Sequence, residues 1–272
     1  MPELFEDPLA EPPTTTRTIC GADGDIAVRI YGAKAAQPGP AVVYFHGGGG
    51  VVGDLDTHDI ACRKLALAAG CSVIAVDYRL APEHPLPAGH DDAVAAFRWV
   101  LDHAESLGLD PTRIAVAGDS MGANLAVGVC LACRGTASPC FGLIIYPATD
   151  FAAKAPSHSE FGCGFFLERA TMDWFSRQYL GVADPKDPRA SILRAPDLSG
   201  LPPMLVVTAG FDPLRDEGQA FAEALELAGS PVEHREYEGL VHGFVQMTGV
   251  CQAAESALDD FGQALRRAFG RV

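Results

Sequence analysis

The sequence predicts one α/β domain, built on a mostly parallel sheet of about eight strands with helices between them. Three observations point there. Apolar runs such as Ala41 to Phe45 and Ser72 to Val76 alternate with amphipathic stretches of helical period. A β-branched run through Ile114 and Val116 breaks sharply at Gly118-Asp-Ser-Met-Gly122 and continues as an apolar helical stretch. At 272 residues and 48% hydrophobic the chain can fill one large core, and no shift of composition marks a second domain.

In chain order, residues 1–12 read as a mobile tail. Thr14 to Cys20 and Asp25 to Tyr31 alternate like a hairpin around Gly21-Ala-Asp-Gly24, an antiparallel start. A proline-bearing linker, Gln37 to Pro40, leads into the strand Ala41 to Phe45. Asp56 to Ala69 is a helix capped by Asp56 or Thr57, and Ser72 to Val76 the next strand, a β-α-β unit and hence parallel. Ala88 to Ala104 is helical. Ile114 to Ala117, Ser120 to Arg134 and Phe141 to Tyr146 continue as strand, helix and strand. After an aromatic insertion from Asp150 to Leu180 come a strand at Met204 to Thr208, a helix at Leu214 to Ala228, a strand at Val232 to Tyr237 and a helix at Cys251 to Phe269.

The net charge of -15 and pI near 4.8 argue against nucleic acid and an anionic membrane surface as partners, because both call for basic patches. The first residues lack a basic and apolar leader, and no apolar run approaches the ~18 residues of a membrane anchor. Eight scattered cysteines suit reduced core thiols and a cytoplasmic protein better than a disulfide framework. Cys130-x-x-Cys133 has no second pair and no histidine couple beside it, so packing is expected there and no metal.

Gly118-x-Ser120-x-Gly122 has the spacing of a nucleophile elbow. The glycines let strand and helix backbones pass closely, the serine is lifted above the sheet, and free N–H groups at the helix start face a developing oxyanion. His46-Gly47-Gly48-Gly49-Gly50 follows a buried strand and has two functional readings. Gly48-x-Gly50-x-x-Gly53, with Asp77 ending the next strand, matches a dinucleotide fingerprint, although Gly53 falls short of the helix it should lie within. In the other reading, the glycine N–H groups converge on a substrate oxygen.

A serine nucleophile on such a sheet requires an acid and then a histidine later in the chain. Five histidines precede Ser120, His158 lies in the insertion and His234 sits on a strand face, which leaves His242 in the glycine-flanked Glu238-Gly-Leu-Val-His-Gly-Phe244. Asp212 falls on the turn at the end of a strand, where a carboxylate can hold an imidazole tautomer; Asp216 falls inside the next helix and complements its first turn. Asp119 points away from its neighbour Ser120 and supports the turn.

His46-Gly-Gly-Gly, Tyr78-Arg-Leu-Ala-Pro-Glu-His-Pro-Leu-Pro-Ala88, Gly118-Asp-Ser-Met-Gly-Ala-Asn-Leu125, Asp212-Pro-Leu-Arg-Asp-Glu-Gly218 and His242-Gly-Phe244 stand in register from about residue 20 onward. In these the chain resembles the bacterial hormone-sensitive-lipase-like (family IV) carboxylesterases of the α/β-hydrolase fold. The resemblance implies a serine carboxylesterase with Ser120, Asp212 and His242 as triad. It also implies Gly48, Gly49 and Met121 N–H groups as oxyanion donors, short-chain ester substrates and no cofactor. The chain departs from the family at Gly50 (usually aromatic), Met121 (usually alanine) and Ala123 (usually glycine). It also has few residues before its first strand, so a reduced cap and a shallow, open site are expected. The aromatic insertion must bury itself on the sheet edge, the acyl chain or another subunit, which leaves a homodimer open, with Trp174 and Phe175 expected in ordinary packing. The alternative is a small-molecule-binding module, a use of this fold when the histidine is lost; the presence of His242 speaks against it.

Overall fold

The computed structural model describes residues 12–32 and 38–270. All but one residue of the expected tail, and the start of the expected linker at Gln37, lie outside them.

β1 (Thr14–Cys20) and β2 (Asp25–Tyr31) form the expected hairpin, closed where Gly21 N–H donates to Gly24 O. Then follow β3 (Gly39–Phe45), α1 (Asp59–Ala69), β4 (Ser72–Asp77), α2 (Ala88–Asp102), the short α3 (Ala104–Leu107), β5 (Leu109–Asp119), α4 (Met121–Ala132) and β6 (Gly142–Ile145). The chain continues through α5 (Ser157–Glu160), α6 (Arg169–Leu180), β7 (Met204–Phe211), α7 (Arg215–Leu227), β8 (Val232–Val241) and α8 (Gln252–Ala268). α1 begins three residues after the expected cap at Asp56. The Asp54 carboxylate accepts the N–H groups of Asp56 and Thr57 and holds 54–57 as a turn, an alternative to helix that aspartate offers its own backbone.

The eight strands form one sheet in the order β1-β2-β4-β3-β5-β6-β7-β8. The β1–β2 and β2–β4 pairs are antiparallel and every other pair is parallel. Side chains alternate across it with the strand period of two. Val43, Phe45, Ile74, Val76, Ile114 and Val116 pack with α2, α4 and α7 on one face; Val42, Tyr44, Val73, Ala75, Ala115 and Ala117 pack with α1 and α8 on the other. Cys130 and Cys133 lie inside the first of these clusters.

From β3 the chain steps to β4 on one side and then back across to β5 on the other. The crevice at that reversal is where open α/β sheets bind ligands. Phe45 pairs with Gly118, so the glycine loop after β3 and the turn after β5 emerge side by side.

That turn is strained. Ser120 has φ 55° and ψ -119°, a region costly to any residue with a Cβ and sustained only by its surroundings. A Cβ on Gly118 would lie 2.3 Å from Gly122 O, and one on Gly122 would lie 2.0 Å from Phe45 O. Both clashes are with backbone, which cannot swing away. Gly122→Ala is therefore expected to destabilise the fold by about 2 kcal/mol or more through overpacking, read as a lower urea midpoint. An unchanged midpoint would show that the strand and helix are not held this closely.

Candidate active site

Three loops at the carboxyl edge bring Ser120, His242 and Asp212 together. Ser120 stands at the β5–α4 turn, with its N–H bonded to Ile145 O. β8 ends at Val241, and Gly243 at φ 78° turns the chain so that His242 reaches back over the sheet. Asp212 follows β7 directly. His242 Nε2 is 3.0 Å from Ser120 Oγ, and its Nδ1–H donates to Asp212 Oδ2 at 2.7 Å. The second Asp212 oxygen accepts Leu214 N–H at 2.8 Å, so the carboxylate is fixed at both ends. All three side chains are buried, Asp212 completely. Tyr146, at the end of β6, packs its ring 4.6 Å from the imidazole, a neighbour that sequence reasoning did not find.

Asp119 turns away from Ser120, as expected, and does more than support the turn. Its Oδ1 accepts Gly47 N–H at 3.0 Å and Tyr44 O–H at 2.8 Å, and lies 3.3 Å from His58 Nε2. The elbow is thereby tied to the start of the glycine loop. Burial pushes the Asp119 carboxyl up, but His58 and the Tyr44 hydroxyl outweigh it and hold the group below the ordinary carboxylate value. His58, set aside in the sequence because it precedes Ser120, is thus a structural partner of the site. Only the fold brings it there.

Gly48, Gly49 and Gly50 all have positive φ, and the turn closes where Gly48 O accepts from Val51 and Val52 N–H. Among the described residues, nothing accepts a hydrogen bond from the N–H of Gly48, Gly49 or Met121. Met121 is fully buried in the core cluster and borders the site at the start of α4. Five residues separate Gly53 from the start of α1, so the dinucleotide reading loses the helix N-terminus that would hold a pyrophosphate.

The Tyr78–Ala88 motif supports this loop from below. Tyr78 O–H donates to His46 O at 2.8 Å, and Arg79 grips Asp92 of α2 through two side-chain nitrogens and its backbone N–H. His46 is stacked on Tyr78, donates Nδ1–H to Gly47 O at 2.7 Å and has no partner for its buried Nε2. Burial, and then the neighbouring His58, lower its pKa to about 4. A proton on Nε2 would be a buried donor with nothing to receive it.

These loops open into a cavity of about 1350 Å³, which Ser120, His242, Gly48, Gly49 and Met121 all line. Its outer wall comes from the 150–180 insertion, which is pinned to the Asp212 turn. Ser157 N–H donates to Asp216 Oδ2, Ser157 O–H to Pro213 O, and His158 Nε2–H to Glu217 Oε2 at 2.9 Å. Asp216 therefore serves the insertion and does not touch His242. Burial raises the Glu217 carboxyl, with His158 and the Thr149 N–H opposing. Phe161 and Tyr179 are buried and Phe175 packs inward, but Trp174 is 42% exposed, so the packing expected of it is not found: its neighbour Phe175 takes the inward face of α6.

The fold and the shape of this edge define a class of hydrolase, and comparison with known proteins narrows it. The family profile described as the alpha/beta hydrolase fold matches residues 42–246. The carboxylic ester hydrolase LipN of Mycobacterium tuberculosis is 43% identical over 99% of this chain and 74% of its own length. The ethyl acetate hydrolase of Pseudomonas putida is 42% identical over 89% of this chain and 78% of its own. Among solved structures, an ester hydrolase from the metagenome of Lake Arreo superposes with a TM-score of 0.94 at 44% identity, covering 98% of this chain and 87% of that one. The chain belongs to the hormone-sensitive-lipase-like family of α/β hydrolases. It is an enzyme, a carboxylic ester hydrolase. Among the described residues, no helix is long and apolar enough to cross a membrane.

The depressed pKa of His46 makes a prediction about stability. The unfolded chain binds the proton near 6.5 and the folded chain only near 4, so stability is full above 6.5 and falls as the pH drops towards 4. The loss from this one group is expected to approach about 3 kcal/mol, at ~1.4 kcal/mol per pH unit. Urea unfolding of wild type and His46→Asn between pH 7 and pH 4.5 checks it: the variant's curve should be the flatter. Parallel curves would assign the proton uptake elsewhere.

Proposed function

We propose that this protein hydrolyses short-acyl esters through an acyl-enzyme on Ser120. The observation that carries the reading is the unbroken line from Ser120 Oγ through His242 to Asp212, at 3.0 and 2.7 Å. His242 Nε2 takes the hydroxyl proton as Ser120 attacks the ester carbonyl, and Asp212 holds the Nδ1–H tautomer and stabilises the imidazolium. The resulting oxyanion is received by the N–H groups of Gly48, Gly49 and Met121, donors already in place before the charge develops. His242 then returns the proton to the leaving alcohol, and water, activated by the same imidazole, releases the acid. The cycle needs no cofactor.

The segment 150–180 acts as a cap over this site. The preference for short acyl chains rests on its wall. Phe166, Met172 and Phe175 line the cavity together with Asp54, Arg169 and Asp173, so a long chain would not meet an unbroken apolar wall. Each added methylene then gains less than the ~0.8 kcal/mol of full burial. The name of the ethyl acetate hydrolase relative points the same way.

Ser120→Ala should lower kcat by ~10³- to 10⁶-fold with the fold intact, because only binding and the oxyanion donors remain. Turnover near that of wild type would end the proposal. Asp212→Asn should cost on the order of 10⁴ in kcat by favouring the wrong tautomer, while Asp216→Asn, which touches the cap and not the imidazole, should cost little. The reverse ranking would reassign the acid. Across p-nitrophenyl esters, kcat/KM should peak between about two and six acyl carbons. A steady climb through decanoate would mean that the wall is more apolar in use than the structure describes.

A further inference from the structure

The glycine loop needs a support that its own sequence does not supply. Gly49 and Gly50 sit at φ 65° and 71°, and glycine visits positive and negative φ about equally, so nothing intrinsic to them holds the loop in the conformation that presents the Gly49 N–H. A helix of the insertion supplies that support. Phe175 and Tyr179 are four residues apart on α6 and so share one face. That face lies on the two glycines. A Cβ on Gly49 would come 2.3 Å from Phe175 Cγ, and one on Gly50 would come 2.5 Å from Tyr179 Cδ2. The Tyr179 ring therefore fills the space above Gly50, where the resembling family carries an aromatic side chain on the loop itself.

The two parts are also held by a common third one. Gly50 O accepts Ala81 N–H and Tyr179 O accepts Leu86 N–H, each at 2.8 Å, so the loop and the end of α6 both hang on residues 81–86. Phe151 stacks on Tyr179, with ring centroids 5.5 Å apart.

We infer that Phe175 and Tyr179 are positioning residues for the oxyanion loop, so that this cap helix sets the rate of the chemical step as well as covering the substrate. The inference rests on the proposed roles of Ser120, Gly48 and Gly49.

The test separates a brace from a wall. A brace acts on the oxyanion, which every ester shares; a wall acts on the acyl chain. Phe175→Ala should lower kcat already on p-nitrophenyl acetate by about 10- to 100-fold, a fraction of what loss of a whole donor costs, with KM on acetate changed by less than about threefold. The butyrate and hexanoate esters should lose at least that factor, any graded remainder coming from the part of Phe175 that lines the cavity. Tyr179→Leu should do the same, and Tyr179→Phe, which keeps the ring, should retain the kcat that Tyr179→Leu loses. The affinity for methylboronic acid, whose serine adduct places an oxygen at the oxyanion position, should fall in parallel. Active-site titration with a phosphonate ester counts folded sites, and Phe175→Leu serves where Phe175→Ala does not fold. An unchanged kcat on acetate with losses graded by chain length, or unchanged boronate affinity, would overturn the inference while leaving the triad standing. Activity retained in Ser120→Ala would instead remove the reading beneath it.

Discussion

The carboxylate of Asp119 is where the functional edge of this molecule is held together. It sits one residue before the strained serine and accepts the N–H of Gly47, so one buried group fixes the distance between the elbow and the glycine loop. Two loops on neighbouring strands could otherwise drift apart by the sum of their flexibilities. A buried charge is tolerated only when it is paired and hydrogen-bonded, and Tyr44 on β3, Gly47 just after it and His58 at the start of α1 meet that need. Removing any of them leaves polar groups unsatisfied in a dry place. The site's geometry and the local stability of the fold are thus one property.

The strain at Ser120 belongs to the same arrangement. A φ of 55° on a residue with a Cβ persists because β5 and α4 are packed so closely that Gly118 and Gly122 touch backbone. The parallel register then brings β7 and β8 to the same edge, and His242 arrives within hydrogen-bonding distance of Asp212, 30 residues away, and of Ser120, 122 residues away. His46, kept neutral by burial, adds no competing charge beside the loop.

The insertion between β6 and β7 is built into this edge. Its first helix, α5, is bonded to the Asp212 turn through Ser157, Asp216, His158 and Glu217, and its second, α6, lies on the glycine loop. Substrate space and chemical groups therefore share walls. That sharing explains why the Asp212-Pro-Leu-Arg-Asp-Glu motif carries three acids with different tasks: one for the imidazole, two for the insertion.

The sequence by itself determined the local chemistry. Alternating apolar periods specified a parallel α/β sheet with an antiparallel start, and the spacing of Gly118, Ser120 and Gly122 specified an elbow, because such constraints act over a few residues and leave their mark in composition. Chain order then singled out Asp212 and His242, which the structure places in line with Ser120. What only the tertiary structure decided are contacts between residues far apart. The start of α1 was displaced because the Asp54 carboxylate competes for N–H groups. His58 and Asp119, 61 positions apart in the chain, pair only once β3 and β5 are neighbours. Trp174 and Phe175 are adjacent in sequence and equally aromatic, yet one faces water and the other a glycine. Helix rotation alone separates them, and that rotation is set by what α6 packs against, which no periodicity within α6 records.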